Sequence, residues 1–333
     1  MKIKDKKLFD YLHFNSFLSP RYKLLYISTP KVACTSLKWW IAALEGYSGI
    51  LSEGENSGES SPELVIHDTF YKVAPNVTGL PKNRLEELLR SNRFFRFAVV
   101  RNPYTRIFSA WQSKLLLREP LQAENYKNSN FFQFPIRSIE DIVPAFECFI
   151  EHLAALEAPN YWDVHWTPQT DLIRPDLISY NQVAQIENVQ PLREALFDYL
   201  GSGIPDPFGT WKNESIIPYL PQFISNRAAE LVQDLYRKDF ETFGYEFKKP
   251  QTKESFSNDQ FKIALKSIGL IRGRHQRLFK IRSETYSQIC SLNQTITERD
   301  TQFHNMNQTA DDRERQIKSL NQAITERDTQ IHN

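Results

Sequence analysis

Glycine, cysteine and methionine are scarce in this chain, at 11, 3 and 2 of 333 residues. The glycine pattern excludes a Walker-type phosphate loop, because no GxxxxGK[ST] stretch occurs. With 18 prolines against 11 glycines, the loops are expected to be ordered. Cys34, Cys148 and Cys290 are an odd, dispersed set without CxxC spacing. That excludes a disulfide framework and a structural zinc site, fits a reducing compartment and implies no metal. Net charge is also nearly absent, +1 from 41 basic and 40 acidic residues. No global field therefore recruits nucleic acid, and any cationic site must be local. No run approaches the roughly 20 apolar residues of a membrane span. The N-terminal Met1–Lys7 is basic, but His13, Asn15 and Ser16 interrupt the stretch that follows, which is no signal-peptide core. A soluble cytoplasmic protein is expected, with peripheral membrane association as an alternative.

What is present is a pair of strand-to-helix patterns. The apolar run at 22–28 predicts a strand, and Leu37, Trp40, Ile41 and Leu44 predict a helix over 34–45. The run at 94–100 predicts a second strand. Asn102-Pro103 then supplies a helix cap and first helical position, with Ile107, Phe108, Trp111 and Leu115 as the buried stripe. Residues 1–21 read as an irregular lead-in and 51–63 as an exposed polar loop. Residues 120–170 read as irregular, with local helix at 139–156. Short strands are expected at Leu177–Tyr180 and Val183–Ile186, and helices at 189–200 and 221–242. The expected organisation is a domain over 22–247, a polar linker at 248–258 and a helical tail at 259–333.

The tail repeats itself. Residues 291–302 return at 319–330 with one change, Thr295 to Ala323, and a weaker copy starts at Asn305, so the unit is 14 residues, two heptads. Leu292, Ile296, Phe303, Met306, Ala310, Ile317, Leu320, Ile324 and Ile331 alternate at spacings of four and three, with Arg299, Arg313 and Arg327 in the remaining seam positions. This predicts a coiled coil, hence a homo-oligomer, against the alternative of a lone amphipathic helix. Residues 270–282 are strongly basic; they suit an anionic glycan or membrane surface, or simply a solvated helix face.

Each strand-to-helix pattern carries anion-binding chemistry. In Ser28–Ser36, Lys31 supplies a cation and Pro30 stiffens the loop. Small Ala33 permits close backbone approach, and Thr35 and Ser36 place hydroxyls in the first helical turn; Val32 and Cys34 add backbone N–H groups. The competing reading is an ordinary βα turn with a solvated lysine. In 101–109, Arg101 stands at the C-terminal end of a strand, where open α/β sheets bind ligands, and Ser109 lies two turns into the helix. A guanidinium fork and a hydroxyl together suit one phosphate. Arg101 as a structural ion-pair partner is the alternative, and Arg106 either assists or pairs with a carboxylate. Two such sites suggest a ligand with two separate phosphate ends.

These residues carry a family resemblance. Pro30–Lys38 (PKVACTSLK) resembles the 5′-phosphosulfate loop of the Golgi-type carbohydrate sulfotransferases and their bacterial relatives, which include the chondroitin/dermatan 4-O and heparan 2-O enzymes. Arg101–Trp111 (RNPYTRIFSAW) looks like their 3′-phosphate motif. Asp163–Gln169 (DVHWTPQ), Leu177–Glu187 and Leu235–Tyr245 are similar to three further family segments in the same order. The sequence departs from the family in having Ala33 where many relatives have Gly, no evident cysteine pairs and no N-terminal membrane anchor. The resemblance implies a P-loop-like three-layer α/β/α fold around a mostly parallel sheet. It implies sulfuryl transfer from 3′-phosphoadenosine 5′-phosphosulfate (PAPS) to a carbohydrate hydroxyl, on a glycan, polysaccharide or glycolipid, with an association with glycan assembly as a further expectation. Lys31 with 32–36 would take the 5′ end, and Arg101 and Ser109 the 3′-phosphate. His67, between the two motifs, is the expected base, with Asp68 as an orienting neighbour; a plain surface histidine is the alternative. His165 is the rival base or a core residue. Trp162 and Trp166 suit a sugar platform or the core. Lys212–Ser215 and Lys114 are lesser candidates for cofactor contact. Two other functions compete: a coiled-coil scaffold carrying a degenerate sulfotransferase domain, and a kinase-like P-loop enzyme, which would need a glycine-rich loop and a magnesium carboxylate.

Overall fold

The computed structural model describes residues 3–52, 62–156, 163–201, 203–209 and 215–331. They divide into two compact units, 1–276 and 277–333. The first is built on a four-stranded sheet in the order β1 (Ser16–Ser19), β2 (Leu24–Ile27), β3 (Phe95–Val100) and β4 (Gln182–Gln185). β1 runs antiparallel to β2; β2–β3 and β3–β4 are parallel. LLYI and FRFAVV are nearly continuous apolar runs because both faces of these strands are covered.

On one face Leu24, Tyr26, Phe97 and Val99 pack against Leu37 and Ile41 of the helix Cys34–Leu44 and Leu192 and Leu196 of the helix Gln190–Leu200. On the other, Leu25, Ile27, Ala98 and Val100 meet Leu8 and Leu12 of the helix Lys6–Asn15 and Leu85 and Leu88 of the helix Lys82–Arg90. Each fully buried aliphatic side chain here contributes about 1.5–3 kcal/mol. A third cluster joins the helices Pro103–Trp111, Ile142–Ala154 and Asn226–Leu235 with Phe261, Ala264 and Ile268. The consequence for function lies in the register. Leu24 pairs with Phe95 and Ile27 with Ala98, so β2 and β3 end side by side, and the loops after them emerge at the same edge.

Three expectations are corrected. Residues 1–21 are not irregular: Asp5 caps the helix Lys6–Asn15 by accepting from Lys7 N and Leu8 N, and β1 follows as an edge strand. Leu177–Tyr180 is not a strand, because the Arg96 guanidinium donates to Ser179 O (2.6 Å) and the Asn181 side chain accepts from Arg96 N (2.8 Å); the ladder starts only at Gln182. The helix expected over 221–242 is broken. Ser225 caps Asn226–Leu235, Tyr236 leaves helical geometry at φ −113°, and Arg237–Phe243 ends at the left-handed Gly244. The polar loop expected at 51–63 lies mostly outside the described residues. The second unit is helical, and its Leu292, Ile296, Phe303 and Ile317 are each more than half exposed.

Candidate active site

The junction after β2 is held taut and left open. Tyr11 donates from its hydroxyl to Ser28 O (2.6 Å), and Ser28 N donates to Asn15 O (2.8 Å). Lys31 (φ 69°) and Ala33 (φ 50°) then adopt left-handed backbone, which turns the chain sharply into Cys34–Leu44. Ala33 occupies the cap position and offers no side-chain acceptor, so the first helical turn, with Thr35 and Ser36, presents its amide end without a side-chain cap. Among the described residues no hydrogen-bond or ion-pair partner meets the Lys31 ammonium. Burial first, then the Lys114 charge, pull its pKa down to about 7. A cation destabilised in this way has an electrostatic demand for an anion.

The junction after β3 is braced from every side. Gln169 accepts from Arg101 N and donates to Arg101 O, both at 2.9 Å, imitating a strand partner. Gln169 is itself held by buried Asp239, which accepts from Gln169 N (2.8 Å), Thr170 N (2.8 Å) and Thr170 Oγ1 (2.9 Å). Glu187 accepts from Asn102 N (2.8 Å) and from the Tyr245 hydroxyl (2.9 Å). Asn102 caps Pro103–Trp111 through Tyr104 N (3.0 Å). Arg101 donates from Nε to Thr105 Oγ1 (3.0 Å) and from Nη1 to Lys31 O (3.3 Å), which leaves Nη2 without an acceptor among the described residues. On the same helix, Ser109 Oγ lies 3.3 Å from Ser215 Oγ.

Arg106 ties the two junctions together. It is 1% exposed and donates to Pro30 O (3.1 Å), Thr167 O (2.9 Å) and Val164 O (3.2 Å). Its hydrogen-bond partners among the described residues are thus three carbonyl oxygens rather than a carboxylate.

Two histidines stand at this crevice. His67 is exposed as a residue, but its two ring nitrogens make part-buried contacts, Nε2 3.0 Å from Thr35 Oγ1 and Nδ1 3.0 Å from Lys38 Nζ. Desolvation of the ring and the charges of Lys38, Lys114 and Lys31 hold it well below the usual histidine range. His165 Nδ1 bonds Asp163 Oδ1, which also accepts from His165 N (2.8 Å); Asp163 Oδ2 accepts from Gln122 Nε2 (2.7 Å). Burial and the nearby Lys114 charge hold His165 at about 3. Burial raises Asp163, but the His165 and Gln122 hydrogen bonds outweigh it and leave it at about 2. Lys114 sits 3.9 Å from Glu119. Trp166 is fully buried and belongs to the core, not to a sugar platform. Trp162, Lys212, Asn213 and Glu214, together with the Asp68 side chain, lie outside the described residues.

The sequence reading missed Lys38, Asp163 and Gln122 as neighbours of the histidines. Lys38 reads only as a helix position, Gln122 and Asp163 fall in the stretch read as irregular, and no spacing rule links the three. Asp239 escaped for the same reason. Its position in an otherwise apolar helical repeat was the one available signal.

The model of the sulfotransferase family matches residues 14–246, about 70% of the chain and both junctions. The chain belongs to the sulfotransferase family. Similar proteins include carbohydrate sulfotransferase 10 of Xenopus laevis, 27% identical over 262 residues, and of Homo sapiens, 26% over 249; each match covers 69% of this chain and 66% of the relative. Carbohydrate sulfotransferase 14 of Mus musculus is 26% identical over 241 residues, covering 68% and 59%. The chain thus spans slightly under two thirds of the length of these relatives. No solved structure matches it. The expectation of a cytoplasmic protein is corrected by this kinship, because the carbohydrate sulfotransferase 10 relatives are Golgi membrane proteins. Sparse cysteine and the lack of an apolar run do not identify a compartment. Among the described residues no helix is long and apolar enough to cross a membrane.

Proposed function

We propose that this chain is an enzyme that transfers the sulfuryl group of PAPS to a hydroxyl of a carbohydrate acceptor. The observation that carries the reading is the pairing of an open, cationic helix N-terminus after β2 with a braced guanidinium after β3, at one edge of one sheet. The position is P-loop-like although the sequence is not. Lys31 and the N–H and hydroxyl groups of 32–36 suit the 5′-phosphosulfate, and Arg101 with Ser109 suits the 3′-phosphate. Lys31 stands where negative charge would grow as the sulfuryl group departs. His67 and His165 supply the candidate bases. The glycan acceptor follows from kinship with the carbohydrate sulfotransferases.

We assign this chemistry to 22–247, with 248–258 as linker. We read the repeat within the tail 259–333 as a coiled coil joining copies of the chain. Each seam arginine is flanked in sequence by acids, Glu298 and Asp300 about Arg299, Asp312 and Glu314 about Arg313, and Glu326 and Asp328 about Arg327. Sedimentation of the full chain beside one ending at residue 276 tests that assembly; equal masses per chain in both would end it.

The deciding experiment for the enzyme is calorimetric titration with 3′-phosphoadenosine 5′-phosphate (PAP) beside AMP. Micromolar binding that requires the 3′-phosphate and weakens in Arg101→Ala is expected. Equal binding of AMP and PAP, or none, would return weight to the scaffold reading.

A further inference from the structure

We propose that His165, oriented by Asp163, takes the acceptor proton, and that Lys38 fixes His67 as a proton-bearing donor instead. This assignment rests on the sulfotransferase reading and divides its two candidate bases by their hydrogen-bond partners.

An ammonium has three donors and no acceptor. Lys38 Nζ, 3.0 Å from His67 Nδ1, therefore donates to that nitrogen, and the ring proton of His67 resides on Nε2. Nε2 in turn donates to Thr35 Oγ1 at 3.0 Å. Both ring nitrogens are then engaged and neither offers a lone pair to an incoming hydroxyl. Burial pulls the Lys38 pKa below the ordinary lysine value, and the face of the Phe17 ring, 4.9 Å from Nζ, opposes that by favouring the cation.

His165 has the opposite arrangement. A carboxylate only accepts, so Asp163 requires the proton on His165 Nδ1 and leaves the lone pair on Nε2. Among the described residues Nε2 has no partner. Asp163 is itself fixed, by the His165 main chain and by Gln122, so the ring cannot easily rotate away. Arg106, bonded to Pro30 O, Val164 O and Thr167 O, holds the turn that carries His165 against the loop after β2, and His67 bonds Thr35 of the helix that follows that loop, so the two rings stand about the same junction. The burial and cation charge that keep His165 neutral before substrate arrives would be opposed by an anionic donor, so its basicity would rise when a proton must be taken.

In the transfer, the acceptor oxygen forms a bond to sulfur and its proton passes to His165 Nε2. The bond between sulfur and the bridging oxygen of the 5′-phosphate breaks, and that oxygen keeps the electron pair. Asp163 stabilises the resulting imidazolium. The Nε2–H of His67 stays on Thr35 Oγ1, which leaves the Thr35 hydroxyl proton, in the first helical turn, free to turn toward the growing negative charge. Nothing is oxidised or reduced.

The test begins with ¹⁵N shifts of the histidine rings in the full-length protein. The expected tautomers are Nδ1–H for His165 and Nε2–H for His67, with signals assigned by His165→Gln and His67→Gln. In Lys38→Met the Nε2–H preference of His67 should disappear while His165 is unchanged, an outcome a merely structural lysine would not give. Hydrolysis of radiolabelled PAPS, with water as the probe acceptor, should fall about 100-fold in His165→Gly and recover with added imidazole. A His67 ring protonated on Nδ1, or recovery of His67→Gly but not His165→Gly, would overturn the assignment. PAP titration separates the two levels. Binding with the reversed recovery defeats the base assignment alone; no binding to the unaltered chain defeats the donor reading and the assignment with it.

Discussion

The junctions after β2 and β3 share one topology and are built in opposite ways. After β3, Asn102 caps its helix, Gln169 occupies both main-chain groups of Arg101, and Glu187 and Asp239 secure the surroundings. After β2, two non-glycine residues sit in left-handed backbone, the cap position has no side-chain acceptor, and a lysine is left without a partner among the described residues. In the proposed reading both junctions receive an anion, but after β3 the main chain is fixed and only the Arg101 guanidinium is left open, whereas after β2 both the lysine and the helix cap are unmet among the described residues. Strain and unmet polar demand are concentrated where an incoming anion can satisfy them, while the neighbouring polar groups are satisfied internally.

Breaking the bracing after β3 should have the largest effect. Asp239 is 0% exposed and accepts from Gln169 and Thr170. Burial pushes its carboxyl upward against the Arg106 charge and these hydrogen bonds. Asp239→Ala strands buried donors and should cost about 3–5 kcal/mol. Thermal unfolding should drop by about 10 °C, and Asp239→Asn, which keeps one acceptor oxygen, should lose less. A midpoint within a degree or two of the parent would show that the bracing is dispensable.

Next in size is a paired comparison of the two anion sites. Arg101→Ala should weaken PAP binding about 30-fold, the loss of a charge-assisted pairing of roughly 2 kcal/mol. It should scarcely change AMP, which has no 3′-phosphate. Lys31→Met should weaken PAP and AMP alike, by about tenfold, because both carry the 5′-phosphate. If Lys31→Met discriminates between the nucleotides and Arg101→Ala does not, the two ends of the donor have been assigned the wrong way round.

The same lysine predicts a proton. Its folded pKa of about 7 lies below the ordinary 10.5, so between those values the unfolded chain holds more protons than the folded one. Stability of the unliganded protein should therefore rise with pH across that window, and this contribution should vanish in Lys31→Met. An anion beside Lys31 reverses the shift. PAP binding at pH 8 should then take up close to one proton, and affinity should fall as pH rises through 7. Calorimetry in two buffers of different ionisation enthalpy measures the uptake; a value near zero would mean that Lys31 does not meet the phosphate.

The same contrast explains what could be read from the sequence. β2, β3 and the helices after them were legible because their apolar periods are strong and because Asn102-Pro103 is a local cap signal. The same patterns located Lys31 and Arg101 at strand-to-helix junctions and Ser109 on the helix after β3, while the chemistry given to them is the proposal argued above. The N-terminal helix was not, since its three buried residues, Leu8, Tyr11 and Leu12, are a weak period in a charged setting. Nor were the bracing contacts. Gln169 and Glu187 act on residues 68 and 85 positions away in sequence, and Arg106 reaches 76 positions back to Pro30. Such pairs are made by the closing of the sheet, and local pattern carries no trace of them.

The smallest expected effect tests whether the junction after β2 is strained at all. Ala33 sits at φ 50°, ψ 23°, where an L side chain costs roughly 1–2 kcal/mol relative to right-handed backbone. Glycine removes that cost but adds about 0.5–1 kcal/mol of unfolded-chain entropy. The difference predicts that Ala33→Gly stabilises the protein by about 0.5 kcal/mol, within reach of careful denaturant titration. It should leave PAP binding equal or slightly tighter, because the amides of Cys34, Thr35 and Ser36 keep their positions. A clear loss of stability would mean that Ala33 makes packing contacts outweighing its backbone cost, and the left-handed turn would then be a property of the surrounding core rather than of the anion site.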